Sequence, residues 1–354
     1  MLPNIQILRA VAAYLLVFVH LKTLLPETSI ATALHEKAYC GVDLFFVISG
    51  FIMVYTTSHR KISGSEFLFN RVLRIVPLYY LTTYLVVVIA FFFPVLLQSS
   101  SSDLYALLKS LAFIPFEKSP GRIYPAYYLG WTLNYEMFFY LIFALSLAVR
   151  YEMRVALCAT VMAALVLLGP LIRPADDVIL YFYSQSIMLD FALGMILGAF
   201  REQISAVMRH MSLLPWLALS LGLGLLVALS YLPVAPSAYA PPTNTLLTFG
   251  IPAALILVAA IGFEDAKTRG QPWELLQEIG NASYSIYLTH FFVIGVLSAF
   301  ASRADLSPAP RTLLALMAIL LTAIVGIGVY RFFERPVMAI LVRLNMRTKP
   351  APRT

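Results

Sequence analysis

Charge is what this sequence lacks most. Of 354 residues only 12% are charged, against 60% hydrophobic, whereas a soluble domain carries about a quarter charged residues. That scarcity excludes a soluble globular chain and leaves an integral membrane protein with most of its length in the bilayer. Cysteine is nearly absent. Cys40 and Cys158 fall in or beside different apolar stretches, which excludes a disulfide framework and a thiolate metal motif. His20 and His290 have no ligand spacing between them, so no metal is expected. The net charge of +7 comes from basic residues gathered at the edges of apolar segments. It therefore reads as membrane orientation rather than as a nucleic-acid footprint.

What is present is a succession of apolar windows. They predict an all-α, polytopic bundle of about ten transmembrane helices. The windows lie near 5–25, 41–58, 75–97, 126–149, 155–172, 179–200, 213–232, 244–263, 280–301 and 312–330. The first carries Arg9 and no small-residue cleavage site, so it is expected to be a span rather than a removed signal. With the N-terminus placed inside, sixteen of the 25 Lys and Arg fall in inner segments and eight in outer ones, Arg9 lying within the first span. This bias predicts both termini in the cytoplasm. The outer connection Gln98–Pro125 is long enough to hold a short amphipathic helix over Leu104–Phe113, and Pro233–Thr243, with four prolines, is expected to be irregular. Residues 1–343 are read as one membrane domain and 344–354 as a basic cytoplasmic tail, disordered or resting on anionic lipid.

Ionisable residues inside these windows are the candidate site, because each is costly to keep there. Arg9 and His20 are eleven residues apart. At about 100° per residue they share one helix face, roughly 16 Å apart along the axis. Arg9 could also snorkel to the surface, and His20 could bridge helices. Asp43 opens the second window at a depth near His20. It is read either as the carboxylate that fixes the imidazole tautomer or as a helix cap. Arg71 and Arg74, three apart, would face one way and grip a phosphate, or simply anchor the helix at the inner surface. Glu136 falls near mid-bilayer with Thr132 one turn before it, and must be protonated, paired or beside a wet cavity. Asp190 raises the same question. The run Ser283-Tyr284-Ser285-Ile286-Tyr287-Leu288-Thr289-His290 is polar enough to face the bundle interior, with His290 as a second acid/base or an interhelical hydrogen-bond partner. Glu334 beside an arginine reads as structural.

Taken in order, these blocks resemble the acyltransferase 3 family of bacterial membrane O-acyltransferases, over nearly the whole chain. The likeness rests on Arg9 and His20, on Gly41–Phe51, and on Arg71-x-x-Arg74. It rests also on Thr132-Leu133-x-x-Glu136-x-x-Phe139-Tyr140, on Ser283–His290 and on Glu334-Arg335-Pro336. In detail it is similar to the branch that acylates exopolysaccharides, including acetyl- and succinyltransferases. Thr132 departs from the usual serine, keeping the hydroxyl and adding a methyl.

The resemblance implies a bacterial inner-membrane enzyme that takes an acyl group from cytoplasmic acyl-CoA, a donor substrate rather than a bound cofactor, to a sugar hydroxyl. His20 would be base or transient acyl carrier, with Asp43 and Glu136 in the catalytic set, and Arg9, Arg71 and Arg74 on the donor phosphates. Thr132, Tyr135, Ser283, Tyr287 and His290 would line the substrate site. Partners would be acyl-CoA, a carbohydrate, the bilayer, and further copies or polysaccharide-assembly proteins, with no nucleic acid. A proton-coupled sugar exporter would also use buried His, Asp and Glu, although no two-fold repeat is visible. A lipid-linked or small-molecule acceptor would leave the chemistry unchanged.

Overall fold

The computed structural model of the chain describes residues 2–25, 35, 37–58, 62–92, 103–119, 121–172, 177–229, 245–264 and 270–348. Among them the only strands are β1 (Glu117–Ser119) and β2 (Arg122–Ile123), a small antiparallel pair; the rest of the regular structure is helical.

Helix α1 (Pro3–His20) starts on a proline, which costs nothing where the first N–H groups have no intrahelical partner. Helix α2 (Cys40–Thr57) follows. Helix α3 (Gly64–Phe92) begins eleven residues before the predicted span and accommodates Pro77 internally, so Arg71 and Arg74 sit on the spanning helix itself and not in a loop. The predicted surface helix is α4 (Leu104–Leu111), capped by Asp103, which accepts from the Ala106 N–H. Helices α5 (Gly130–Ser146) and α6 (Tyr151–Leu168) come next.

The predicted sixth span is not continuous. Helix α7 (Val178–Tyr183) stops, α8 (Met188–Ala199) restarts, and α9 (Arg201–His210) leaves it at 65°. Helix α10 (Leu214–Leu229) precedes Pro233–Thr243, which lies outside the described residues. A π-helical turn, Leu246–Gly250, then leads into α11 (Ile251–Gly262). The predicted ninth span divides at Ala282 into α12 (Gln271–Asn281) and α13 (Ser283–Arg303). Helix α14 (Pro308–Val329) passes through a second π turn, Tyr330–Glu334, into α15 (Arg335–Thr348). Residues 344–348, expected in the tail, are therefore helical, and 349–354 lie outside the described residues.

Among the described residues six helices are long and apolar enough to cross a membrane, seven if the bent α8–α9 pair counts as one. The expectation of about ten included segments that fall short of this length, such as Leu214–Leu229 and Leu246–Gly262. The bundle has a clear inside: 78% of the apolar window of α2 is buried, against 11% for the helix that begins at Tyr151.

Helix α2 packs most extensively on α8. In lipid there is no hydrophobic drive between helices, so close approach depends on small residues. Gly50 lies on the Phe191 carbonyl, while Gly194 lies on the Val47 carbonyl. A Cβ at either would drive into backbone, which cannot yield as a side chain can. Gly224 on α10 has no such neighbour. Gly194→Val is expected to cost at least about 3 kcal/mol through overpacking, and Gly224→Val to leave stability unchanged. Thermal unfolding of the two variants in detergent checks this, and equal melting would remove the role given to the crossing.

Candidate active site

Arg9 is 7% exposed although it carries a full charge in an apolar helix. Its Nη1 donates to Gln6 Oε1 one turn back at 2.9 Å, and its Nη2 donates to Ser283 Oγ at the start of α13, also at 2.9 Å. Gln6 is held in turn by α12, because Gly280 lets that helix rest on the Gln6 carbonyl. Glu334 feels the charges of both Arg9 and Arg74, and its carboxylate accepts from Ser285 Oγ at 2.5 Å. The second π turn places this group: the extra residue in the turn re-aims a side chain at a helix junction.

From α3, the Arg71 guanidinium lies over the rings of Phe67 and Tyr140, 5.5 and 5.9 Å from their centroids. Arg71 Nε is buried and meets no hydrogen-bond acceptor among the described residues. Arg9, Arg71 and Arg74 line one cavity. Glu136 lines it from α5, accepting from Tyr140 O–H and, at 3.3 Å, from Ser49 Oγ of α2. The remaining wall is largely apolar, including Leu16, Val42, Phe45 and Phe46.

At its far side Thr132 Oγ1 and Tyr287 OH meet at 2.8 Å, and Tyr287 donates to the Leu129 carbonyl at 2.8 Å. Beyond this contact lies His20. Its ring is 5.1 Å from that of His290, 5.4 Å from Phe291 and 6.4 Å from Tyr128, centroid to centroid. Tyr287 belongs to both places, lining the cavity and packing its ring 6.0 Å from that of His290. On α1 the cavity reaches Leu16, one turn short of His20.

The structure thus brings Arg9, Arg71, Arg74, Thr132, Glu136, Ser283 and Tyr287 together, with His20 and His290 just past them. Two expected members are elsewhere. Asp43 does not meet His20: it accepts from Thr245 Oγ1 at 2.5 Å and faces Asp190, both carboxyls being buried. One residue turns a helix by about 100°. Val42 faces the cavity while Asp43 faces α8 and the first π turn. Tyr135 likewise points into the core, donating to the Phe182 carbonyl at 2.6 Å and stacking on that ring.

Sequence reasoning missed Gln6, Ser49, Tyr140 and Tyr284 as site residues and took Glu334 as structural only. Helical spacing from a known member was the available signal for two: Gln6 is three before Arg9, and Tyr140 four after Glu136. Among the described residues no cluster of three or more His, Cys, Asp or Glu is placed to hold a metal.

A family model described as "Acyltransferase domain" matches residues 2–331. The chain is 36% identical to the "Exopolysaccharide production protein ExoZ" of Rhizobium meliloti (strain 1021), over 84% of this chain and 89% of that one. It is 25% identical to the "Acyltransferase MdmB" of Streptomyces mycarofaciens, over 100% of this chain and 96% of the other. No solved structure matches. With a family match over nearly its whole length and several helices long and apolar enough to cross a membrane, the chain belongs to the acyltransferase 3 family and is a multi-pass membrane acyltransferase.

Proposed function

We propose that this protein transfers an acyl group, acetyl in the simplest case, from acyl-CoA to a hydroxyl of a cell-surface or exported carbohydrate. The observation that carries this reading is the convergence of Arg9, Arg71 and Arg74 on one cavity in a chain with so few charges. Cations at one end of a largely apolar pocket suit a ligand that is polyanionic at one end and uncharged along the rest. The phosphates and pantetheine arm of CoA have that form, and guanidinium binds phosphate through paired hydrogen bonds. The excess of Lys and Arg in the segments on the N-terminal side supports a donor arriving from the cytoplasm of a bacterial inner membrane, with both termini on that side. The relative named for exopolysaccharide production supports a carbohydrate acceptor.

In this scheme the arm follows the apolar wall past Leu16, and the Thr132–Tyr287 contact parts so that the thioester reaches His20. The acceptor O–H gives its proton to His20, and its oxygen forms the new C–O bond with the thioester carbonyl. The C–S bond breaks, and the leaving thiolate takes up the proton from His20 to leave as CoA. Glu136, with Tyr140 and Ser49 on it, offsets the arginine charge when the donor is absent.

Purified protein in detergent, with no membrane gradient, is expected to convert labelled acetyl-CoA to CoA and acylated saccharide. A protein that moves saccharide across vesicles without consuming thioester is a transporter, and the proposal fails. His20→Ala should lower kcat by about a hundredfold to ten-thousandfold with acetyl-CoA binding kept, and mass analysis of surface glycans should show the acyl group missing. Full acylation by that variant would overturn the role of His20. Arg71→Ala should raise KM for acetyl-CoA about tenfold to a hundredfold, the loss of one or two charge-assisted hydrogen bonds, with kcat changed by less than about threefold. A fall in kcat at unchanged KM would remove Arg71 from the donor site.

A further inference from the structure

His290 carries an unspent lone pair at the centre of the bundle. The side chain is fully buried, and its Nδ1 is 3.2 Å from the Ile286 carbonyl one turn back on α13. A carbonyl can only accept, so Nδ1 holds the proton of the neutral ring and Nε2 is the acceptor. Nε2 is buried and has no donor among the described residues. An acceptor left so is costly unless something is meant to meet it. The rings packed on His290 are those of Tyr287 and His20. Tyr287 spends its O–H on the Leu129 carbonyl, which leaves His20. The two imidazoles are 5.1 Å apart between centroids and tilted by 45°, a separation that admits one N–H···N hydrogen bond after a small rotation of either ring.

We propose that His290 is the positioning residue for His20: its Nε2 accepts the N–H of the facing His20 nitrogen and thereby holds the lone pair of the other His20 nitrogen toward the reacting hydroxyl. This is the part that sequence reasoning gave to Asp43, filled by a neutral ring from α13 instead of a carboxylate from α2. It rests on the acyl-transfer reading for its purpose and on geometry for its existence. When His20 takes the proton of the acceptor hydroxyl, it becomes an imidazolium whose second N–H is already engaged by His290, so the charge forms against a placed acceptor rather than against hydrocarbon. That proton then passes to the departing thiolate. His290 gains and loses none, and touches neither donor nor acceptor.

A neutral partner differs from an acidic one in one respect. A carboxylate would leave His20 beside a permanent negative charge deep in the bundle. An imidazole fixes the tautomer without adding charge to an apolar setting, where an unpaired ion is costly.

The test compares His290→Phe, which removes both nitrogens, with His290→Asn, whose amide oxygen can still accept. The expected result is a kcat lower by about a hundredfold or more in His290→Phe, with KM for acetyl-CoA within about threefold of wild type because the arginine cavity is untouched. At least tenfold of the loss should return in His290→Asn. A readout free of turnover is 15N NMR of histidine-labelled protein, with the His20 resonances assigned by their loss in His20→Gln. Wild type and His290→Asn should show a single His20 tautomer, and His290→Phe a mixture.

Mixed tautomers in wild type, or a single unchanged tautomer in His290→Phe with acetyl-CoA binding intact, would overturn the pairing. So would a His290→Asn protein that binds acetyl-CoA yet is as inactive as His290→Phe. If His290→Phe does not fold, the wild-type spectrum and His290→Asn decide. Failure of the acyl-transfer reading looks different: wild type would bind and turn over no acyl-CoA, whatever the tautomer of His20.

Discussion

A guanidinium cannot sit in hydrocarbon unless it is surrounded by groups that accept its protons and answer its charge. Arg9 meets this condition, and the geometry of the site follows from how it does so. Gln6 is on its own helix, but Ser283 belongs to α13 and Glu334 to the turn after α14. Helices far apart in the chain are thus held around one charge. Arg74 lines the same cavity as Arg9, and Glu136 lines it with them. On the proposed function, Glu136 and Glu334 balance this cluster when it is empty, and the donor's phosphates replace that balance when it is filled.

The wall opposite depends on a different constraint. Because lipid tails are as apolar as the side chains they meet, α2 is held centrally by backbone proximity rather than by hydrophobic burial. Its Gly50 and the Gly194 of α8 put main chain against main chain. One side of α2 is spent on that crossing, and the other carries Val42, Phe45, Phe46 and Ser49 into the cavity. The buried pair Asp43 and Asp190 lies at the crossing side. There Asp43 ties α2 to the entry of the first π turn by accepting from Thr245 Oγ1.

Between the arginine cavity and the histidine pair stands Tyr287, which hydrogen-bonds toward Thr132 and packs toward His290. On the proposed function, phosphate binding and acyl chemistry are separated along α1 by the length from Arg9 to His20, with a hydroxyl contact at the boundary. Such separation suits a long donor whose charged and reactive ends are themselves far apart.

Much of this was legible along the chain. Scarce charge and apolar windows gave the helical membrane class, and helical spacing put Arg9 and His20 on one face, with Thr132 one turn from Glu136. Those relations lie within single helices, where 3.6 residues per turn leaves little freedom. What failed had another character. Asp43 was matched to His20 by depth, yet it turns toward Asp190. Tyr135, one residue from Glu136, faces the core, and Glu334, which reads as structural in the sequence, is buried at the end of the second π turn. Span limits also shifted, with breaks at Ser184–Ile187 and at Ala282. The sequence by itself determined which costly residues the membrane must accommodate and how they are spaced on each helix. Only the tertiary structure decided which of them face one another, because the rotation of a helix about its axis is set by the glycine contacts and buried hydrogen bonds of its neighbours.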